Sequence, residues 1–463
     1  MNNINLNDCS ITTFLDSGAD ENNILEVHSD IIKLSNESLY SLVKSNENLL
    51  MFPNTIEETA DKLDNDYIFT ISPSKNESSP NELLNLKIQT SKIMGFIGIE
   101  NTQININSRF ESSNNNFFLH YMLQKICHVN LFDLNHFAGE SDSLDIFIYF
   151  FPLFLKQAMR KGVYRAYKTY KHNDSALRGS IDVPRHIKDN TPFYGTIAYK
   201  AREISFDNNV TELIRHTIEY IKTKPGFKSI LDGDKDVKEA VKTIVSVTTS
   251  YDKSKRKIVL EANRKPICHP YYKDYSNLQS LCKIILNHKK LQYSNRGKQV
   301  YGILFDGSWL WEEYLGTLLG KCGFIHPENK EKKGGIRLFD NDIDETFDKN
   351  TRRIYPDFYK PNEFILDAKY KSLENGVGRE DLYQVISYMH TMKIDEGGYI
   401  YPHKLDEKNS INRFKLNSMG YGGNLSVIGF SIPQETTKYK DFCQIMMTNE
   451  NQLVKYIETA RVV

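Results

Sequence analysis

Tyr355-Pro356-Asp357 stands ten residues ahead of Asp367-Ala368-Lys369, and two carboxylates with a lysine at that spacing are the groups that metal-dependent phosphodiester hydrolysis requires. A hard divalent cation such as Mg2+ keeps several of its waters and takes only one or two carboxylates besides the phosphate oxygens of a substrate. The cation activates water and neutralises charge on the phosphate, and a lysine beside it orients the attacking water or stabilises the pentavalent phosphate. Asp-x-Lys alone is also a frequent pattern of solvated strand edges, so the flanking elements have to decide between the two readings.

Glu363-Phe364-Ile365-Leu366-Asp367-Ala368-Lys369-Tyr370 reads as a strand, on which residues two apart share a face. Asp367 and Lys369 then point together into a cleft, while Phe364, Leu366, Ala368 and Tyr370 take the opposite, packed face. Lys360-Pro361-Asn362 carries turn chemistry and places Asp357 on an adjacent antiparallel strand, close to Asp367. Downstream, residues 380–393 set Leu382, Val385, Ile386 and Met389 at helical spacing as a buried stripe, with Gln384 and Tyr388 four apart on an adjoining one. Upstream, Ser308 is placed to cap a helix from Trp309 to about Cys322 that turns Trp311, Tyr314, Leu315 and Leu318 inward. Glu312 borders that face, and reads either as a first-turn acid favoured by the helix dipole or as a group reaching the metal site.

The order of helix with Glu, strand ending in Asp, strand with Asp-x-Lys and helix with Gln-x-x-x-Tyr resembles the PD-(D/E)xK nuclease superfamily. More narrowly it resembles the McrC nuclease subunits of McrBC restriction systems, which cut DNA containing modified cytosine. The phrases that carry the likeness are Phe305-Asp306 followed by Leu310-Trp311-Glu312-Glu313-Tyr314-Leu315, Ile365 to Lys371, Asp381-Leu382-Tyr383-Gln384 and Gly398-Tyr399-Ile400-Tyr401-Pro402-His403. Further upstream Gly162-Val163-Tyr164, Leu177 to Asp182 and Phe206 to Asn209 leading into Leu213-Ile214 are similar to the region that precedes the nuclease domain. The likeness runs from about residue 115 to 430; the first 95 residues have no match in the compact members and resemble the longer LlaJI-like restriction subunits.

That resemblance implies an α/β fold with a C-terminal restriction-endonuclease-like core, a mixed sheet flanked by helices, over residues 296–463. Residues 1–135 are then an α+β region for partner docking or DNA contact, and residues 136–295 a mostly helical middle region. Asp357, Asp367 and Lys369 correspond to the catalytic triplet, Ala368 offers a backbone carbonyl near the metal, and Glu312 and Gln384 complete the set. The implied cofactor is Mg2+, with Mn2+ as an alternative. The implied partners are a McrB-like AAA+ GTPase hexamer, docked through the N-terminal part and stimulated in its GTP hydrolysis, and double-stranded DNA with modified cytosine.

The rest of the chain sets bounds. At 463 residues it is long enough for two or three domains with cores of their own. No run of eighteen apolar residues exists and the N-terminus lacks a basic, apolar signal region, which points to a cytoplasmic protein without membrane contact. The six cysteines are scattered with no Cys-x-x-Cys pair, so neither a zinc ribbon, a disulfide framework nor an iron-sulfur cluster is indicated. Net charge is zero but unevenly spread: residues 1–66 carry 13 acids against 3 lysines, whereas residues 156–203 carry 11 basic residues against 4 acids and residues 251–300 carry 12 against 3. The basic stretches, interleaved with tyrosines, suit either phosphate contact or plain solvation.

Residues 96–107 alternate like a hairpin turning at Glu100-Asn101, helices are expected near 116–127, 143–161 and 208–223, a strand over 163–170, and an exposed loop over 72–81. No Gly-x-x-x-x-Gly-Lys-Ser/Thr loop occurs, so nucleotide hydrolysis belongs to a partner. Two other functions fit the same residues: a stand-alone or LlaJI-like sequence-specific endonuclease, and a non-catalytic adaptor that activates the GTPase.

Overall fold

The computed structural model describes residues 2–18, 23–46, 49–53, 67–72, 83, 85–100, 102–111, 116–127, 146–224, 227–293, 300–327, 335–338, 353–404, 411–419, 422–434 and 436–459. Most of the expected 72–81 loop and residues 294–299 of the second basic stretch lie outside them. Along the chain come β1 (Asn2–Asn7), β2 (Ile11–Thr13), α1 (Ile24–Ser35), α2 (Leu39–Ser45), β3 (Leu49–Phe52), β4 (Phe69–Ile71), β5 (Lys87–Thr90), β6 (Ile93–Ile99), β7 (Thr102–Asn107) and α3 (Phe117–Cys127). Next are α4 (Ile146–Met159), β8 (Ala166–Asp174), β9 (Ser180–Ile181), α5 (Val183–Asp189), β10 (Ile197–Ser205), α6 (Asn209–Thr223), α7 (Lys235–Val247), α8 (Arg256–Ala262) and α9 (Lys273–Tyr293). The last stretch holds β11 (Val300–Asp306), α10 (Gly307–Leu319), β12 (Ile336–Arg337), β13 (Arg353–Ile354), β14 (Phe358–Lys360), β15 (Phe364–Ala368), α11 (Arg379–Met392), β16 (Glu396–Lys404), β17 (Ile411–Asn417), β18 (Asn424–Ile432) and α12 (Tyr439–Thr459).

These elements form two compact units, one of residues 1–126 with 295–463 and the other of residues 127–294. The expected separation of the first region from the nuclease core is therefore replaced by a single unit. The reason is β11: it pairs antiparallel with β6 and parallel with β3 inside a sheet ordered β1-β7-β6-β11-β3, although roughly 200 residues of chain separate it from its neighbours. All seven of its residues are buried, as a strand covered on both faces requires. The β6–β7 hairpin turns at Glu100 as the alternation predicts, with φ +50° there. One side of the sheet packs on α1 and α2 through Val27, Ile31, Leu39 and Leu42.

The second sheet of this unit is ordered β14-β15-β16-β18-β17, with β15, β16 and β18 parallel and both edge strands antiparallel. This is the mixed sheet flanked by helices expected of the C-terminal core. Ile365, Tyr399, Tyr401, Leu425 and Val427 face Val385, Tyr388 and Met389 of α11; on the opposite side Phe430 meets the rings of Trp311 and Tyr314 on α10. The buried stripe of α11 is rotated from the expected one: Ile386 is 41% exposed and Tyr388 takes its place in the core. Buried Glu450 on α12 accepts hydrogen bonds from Tyr121 and Tyr314, each at 2.8 Å, and pairs with Lys125 at 2.7 Å, so α3, α10 and α12 share one satisfied charge.

The other unit combines helices α4 and α6–α9 with a small antiparallel sheet ordered β8-β10-β9. The most apolar run of the sequence is α4, whose Phe147, Ile148, Phe150, Phe151, Phe154 and Leu155 are buried. The capping box expected of a helix start is present on α6, where Asn208 accepts from the N–H of Val210 and Thr211. Among the described residues no helix is long and apolar enough to cross a membrane.

Gly95 fixes the join between β6 and β11: its φ is +124° and a Cβ there would lie 2.1 Å from the Ile303 carbonyl oxygen. Gly95→Ala should lower stability by about 2–4 kcal/mol, as forbidden backbone geometry and a steric clash together do, measured by denaturant titration. Deleting residues 1–95 removes β1, β3 and the start of β6 and should leave no cooperative melting transition; a truncated chain that melts like the parent would mean that the β11 sheet is not part of the core's stability.

Candidate active site

The strand-turn-strand expected around the two acids forms as the spacing implies. Lys360 to Glu363 close a tight turn with Asn362 at φ +60°, the Glu363 N–H donating to the Lys360 carbonyl at 3.0 Å, and Phe358 pairs with Leu366. Asp357 therefore lies beside Asp367, and one of its oxygens accepts from the Ala368 N–H at 2.8 Å. The polar contact of Ala368 here is its N–H. Lys369 donates its own N–H to the Ile400 carbonyl at 2.9 Å, so the Asp-x-Lys segment is held from both sides. The face carrying Asp367 and Lys369 is not a free cleft wall: Ile365 on the same face is buried against α11, and the polar pair occupies the end of that packed surface.

Asp367 is 1% exposed; its Oδ2 has the Lys369 Nζ at 2.6 Å, and its Oδ1 receives no hydrogen bond. A buried acid left so poorly satisfied is costly unless something else occupies its lone pairs. Burial and then the neighbouring Asp357 raise the Asp367 carboxyl to about 7. For Asp357 the causes are burial followed by the charge of Glu312, and the value again rises to about 7. Lys369 is pulled down by burial yet raised on balance by Asp367, Asp357 and Asp381. Like charges crowded in a dry place are what a divalent cation relieves.

Around this pair stand groups from three other elements. Lys369 donates to the Gln384 side chain at 3.0 Å, Gln384 donates to Tyr388 at 2.7 Å, and Tyr388 donates to the Tyr355 carbonyl at 3.2 Å, so the Gln-x-x-x-Tyr stripe of α11 runs from the lysine back to the strand bearing Asp357. Glu312 comes from α10, which is capped by Asp306 rather than Ser308: the Asp306 carboxylate accepts from the N–H of Ser308 at 2.8 Å and Trp309 at 3.3 Å. Asp306 wins because it ends β11 with extended backbone one residue before the helix, the geometry a cap requires. Glu312 affects Asp357 through its charge, but among the described residues no three His, Cys, Asp or Glu side chains converge as a ready metal cluster.

Two participants escaped the sequence reading. His326 bonds to the Asp357 carbonyl at 2.8 Å, stacks on Phe358 at 4.6 Å and lies 3.7 and 4.0 Å from Glu313 and Glu312; burial works against its charge, but the glutamates and the carbonyl prevail and raise it to about 9. A lone histidine between two loops gives no periodic signal. Asp381 sits 3.4 Å from Lys369 and 2.7 Å from Lys371. Its place in the first turn of α11, three residues before Gln384, was the available clue.

With the geometry in hand, the family model described as "McrBC 5-methylcytosine restriction system component" matches residues 88–402. The chain belongs to that family. The match takes in Asp357, Asp367, Lys369, Glu312 and Gln384 as well as the unit that precedes β11. Among solved structures, the half-complex from the tetradecameric assembly of Thermococcus gammatolerans McrB AAA+ hexamers with bound McrC is 15% identical over 96% of this chain and 99% of that one, with a TM-score of 0.41. The McrBC complex of the same organism is 16% identical over 71% of this chain and 90% of that one, with a TM-score of 0.32. No curated protein matches.

The raised carboxyls have a consequence for stability. Each binds its proton more tightly folded than unfolded, so its contribution is complete in acid and drains away as pH climbs through 7. In chelator, the melting temperature should fall from pH 5 to pH 8, and Asp367→Asn should flatten that slope and melt higher at pH 8. Parallel slopes for the two proteins would show that Asp367 is not the strained group.

Proposed function

We propose that this chain is the McrC-type nuclease subunit of a McrBC restriction system, a Mg2+-dependent DNA endonuclease that cuts when engaged by a McrB-like AAA+ GTPase. The observation that carries the reading is the buried Asp367 carboxylate, whose Oδ1 has no hydrogen-bond donor and whose Oδ2 has the Lys369 ammonium at 2.6 Å, set beside Asp357 in the order and spacing of a PD-(D/E)xK site. Asp357 and Asp367 would hold the ion, with Glu312 close enough to act on Asp357 by charge. Mg2+ so held supplies a water of lowered pKa and positive charge opposite the phosphate.

The chain's own groups have separate tasks. Lys369 presents an ammonium next to the carboxylates, where charge forms on the phosphate in the transition state. Gln384 and Tyr388 fix its direction by their hydrogen bonds, and Asp381 balances its charge while the ion is absent. Ala368 N–H holds Asp357 in the rotamer that faces Asp367. His326 ties the strand of Asp357 to the helix of Glu312.

Lack of a phosphate-binding loop and the McrB hexamers in the related assemblies support a separate motor for this chain. Residues 1–126, expected to serve partner docking or DNA contact, fold in one unit with residues 295–463. The inserted unit suits that role better: β8, β10 and α5 with its following turn expose Tyr167, Ile187, Phe193, Tyr194 and Ile204 to 57–83%, more apolar surface than a free-standing sheet of three strands should carry. The adaptor reading leaves the satisfied geometry around Lys369 without a purpose, and the stand-alone endonuclease is separable by experiment.

Asp367→Ala and Lys369→Ala should each reduce plasmid cutting by the reconstituted complex with Mg2+ and GTP by about 10²–10³-fold or more, with melting and GTPase stimulation retained; Gln384→Ala should cost less. Undiminished cutting by Asp367→Ala would refute the site, and cutting by the wild-type chain without any partner would favour the stand-alone enzyme. Phe193→Asp with Tyr194→Asp should abolish GTPase stimulation while the isolated chain keeps its melting temperature.

A further inference from the structure

Immediately after Lys369 the chain passes Tyr370, which is buried and gripped by residues that follow β7. The Arg109 guanidinium donates to the Tyr370 main-chain carbonyl and lies over the rings of Tyr370 at 5.1 Å and Phe110 at 4.9 Å. Phe110 meets the Tyr370 ring edge-on at 5.2 Å. Ser108 and the Tyr370 hydroxyl share a hydrogen bond of 2.8 Å. Arg109 is held in turn: its N–H donates to Asp8 at 2.6 Å, a fully buried carboxylate at the end of β1, and the Phe110 carbonyl accepts from Gln434 at 2.8 Å.

We propose that Arg109 is a positioning residue for Lys369, and that residues 108–110 clamp the strand carrying the Asp-x-Lys pair through the carbonyl and ring of Tyr370. The Lys369-Tyr370 pair is held through the peptide units on either side of it. On one side the Lys369 N–H bonds to the Ile400 carbonyl within the sheet; on the other the Tyr370 carbonyl bonds to Arg109. A long side chain such as lysine reaches a set point only if its Cα is held on both sides; β15 ends at Ala368, and the Lys369 N–H makes a bond to the neighbouring strand just past that end. The clamp on the Tyr370 carbonyl continues the hold beyond the strand. A planar guanidinium suits the task because it can stack on an aromatic face and donate in its own plane at once. This gives the N-terminal region, which has no part in the chemistry, a defined effect on it.

The proposal rests on Lys369 serving the nuclease reaction, and one of its two readouts is independent of that. In Arg109→Ala the maximal cleavage rate of the full chain with its motor partner should fall roughly tenfold to hundredfold, the loss that a displacement of about 1 Å brings to a reacting group. The DNA concentration and the Mn2+ concentration giving half the maximal rate should not change, because neither the acids nor the DNA contacts are touched. In the chain alone, amide hydrogen exchange should quicken across residues 364–371 and stay unchanged in β16 and β18. Arg109→Lys, which keeps the charge and one donor, should recover part of both. Should the alanine variant fail to fold, the lysine variant decides: intermediate rate and intermediate exchange support the clamp, and wild-type values overturn it. A loss confined to DNA affinity at full maximal rate overturns it too. If exchange responds as described while Asp367→Ala still cuts, the nuclease assignment fails and the clamp on the strand stands.

Discussion

Two carboxylates are forced together where water is scarce. Asp357, just ahead of β14, lies beside Asp367 on β15, and among the described residues the cation paired with Asp367 is Lys369, itself shared with Asp381. Both acids answer by binding protons more tightly, and the surrounding structure is arranged to keep them in place despite that. Parallel β15, β16 and β18 supply the rigid backbone, the turn at Asn362 sets the register, and α11 lays Gln384 and Tyr388 along the lysine. Stored electrostatic strain of this kind is sustained only by a well-packed frame.

That frame reaches far beyond the nuclease sheet. β11 threads from the N-terminal sheet directly into α10, so the helix bearing Glu312 is anchored by strand pairing at its base, by the Asp306 cap and by the bond from the Gly307 N–H to the Lys92 carbonyl at 2.8 Å. At the other end Glu450 binds α3, α10 and α12 into one cluster. The segment at residues 108–110 reaches Tyr370, directly after the Asp-x-Lys pair. The N-terminal region, expected to serve partner docking or DNA contact, also packs against the residue that follows Lys369, and the inserted unit exposes apolar side chains on β8, β10 and α5.

The sequence by itself determined the local chemistry. The period-two pattern of residues 363–370, the turn at Lys360-Pro361-Asn362 and the spacing of Asp357, Asp367 and Lys369 placed the three groups together because each relation spans only a few residues, and backbone geometry alone enforces it. The Gln384 to Tyr388 stripe and the inward face of Trp311, Tyr314, Leu315 and Leu318 were legible for the same reason. Tertiary structure decided what those patterns leave open. An entirely apolar strand such as β11 reads alike whichever sheet receives it, so its place between β6 and β3, and with it the merger of the first and last regions, was settled by long-range pairing. Ile386 and Tyr388 exchanged places because helical periodicity fixes a stripe only to within a side chain and the neighbouring sheet chooses the rotation. His326 and Arg109 act through contacts with backbone carbonyls 31 and 261 residues away, and a carbonyl, being common to every residue, leaves no mark in the sequence to show which one a side chain will find.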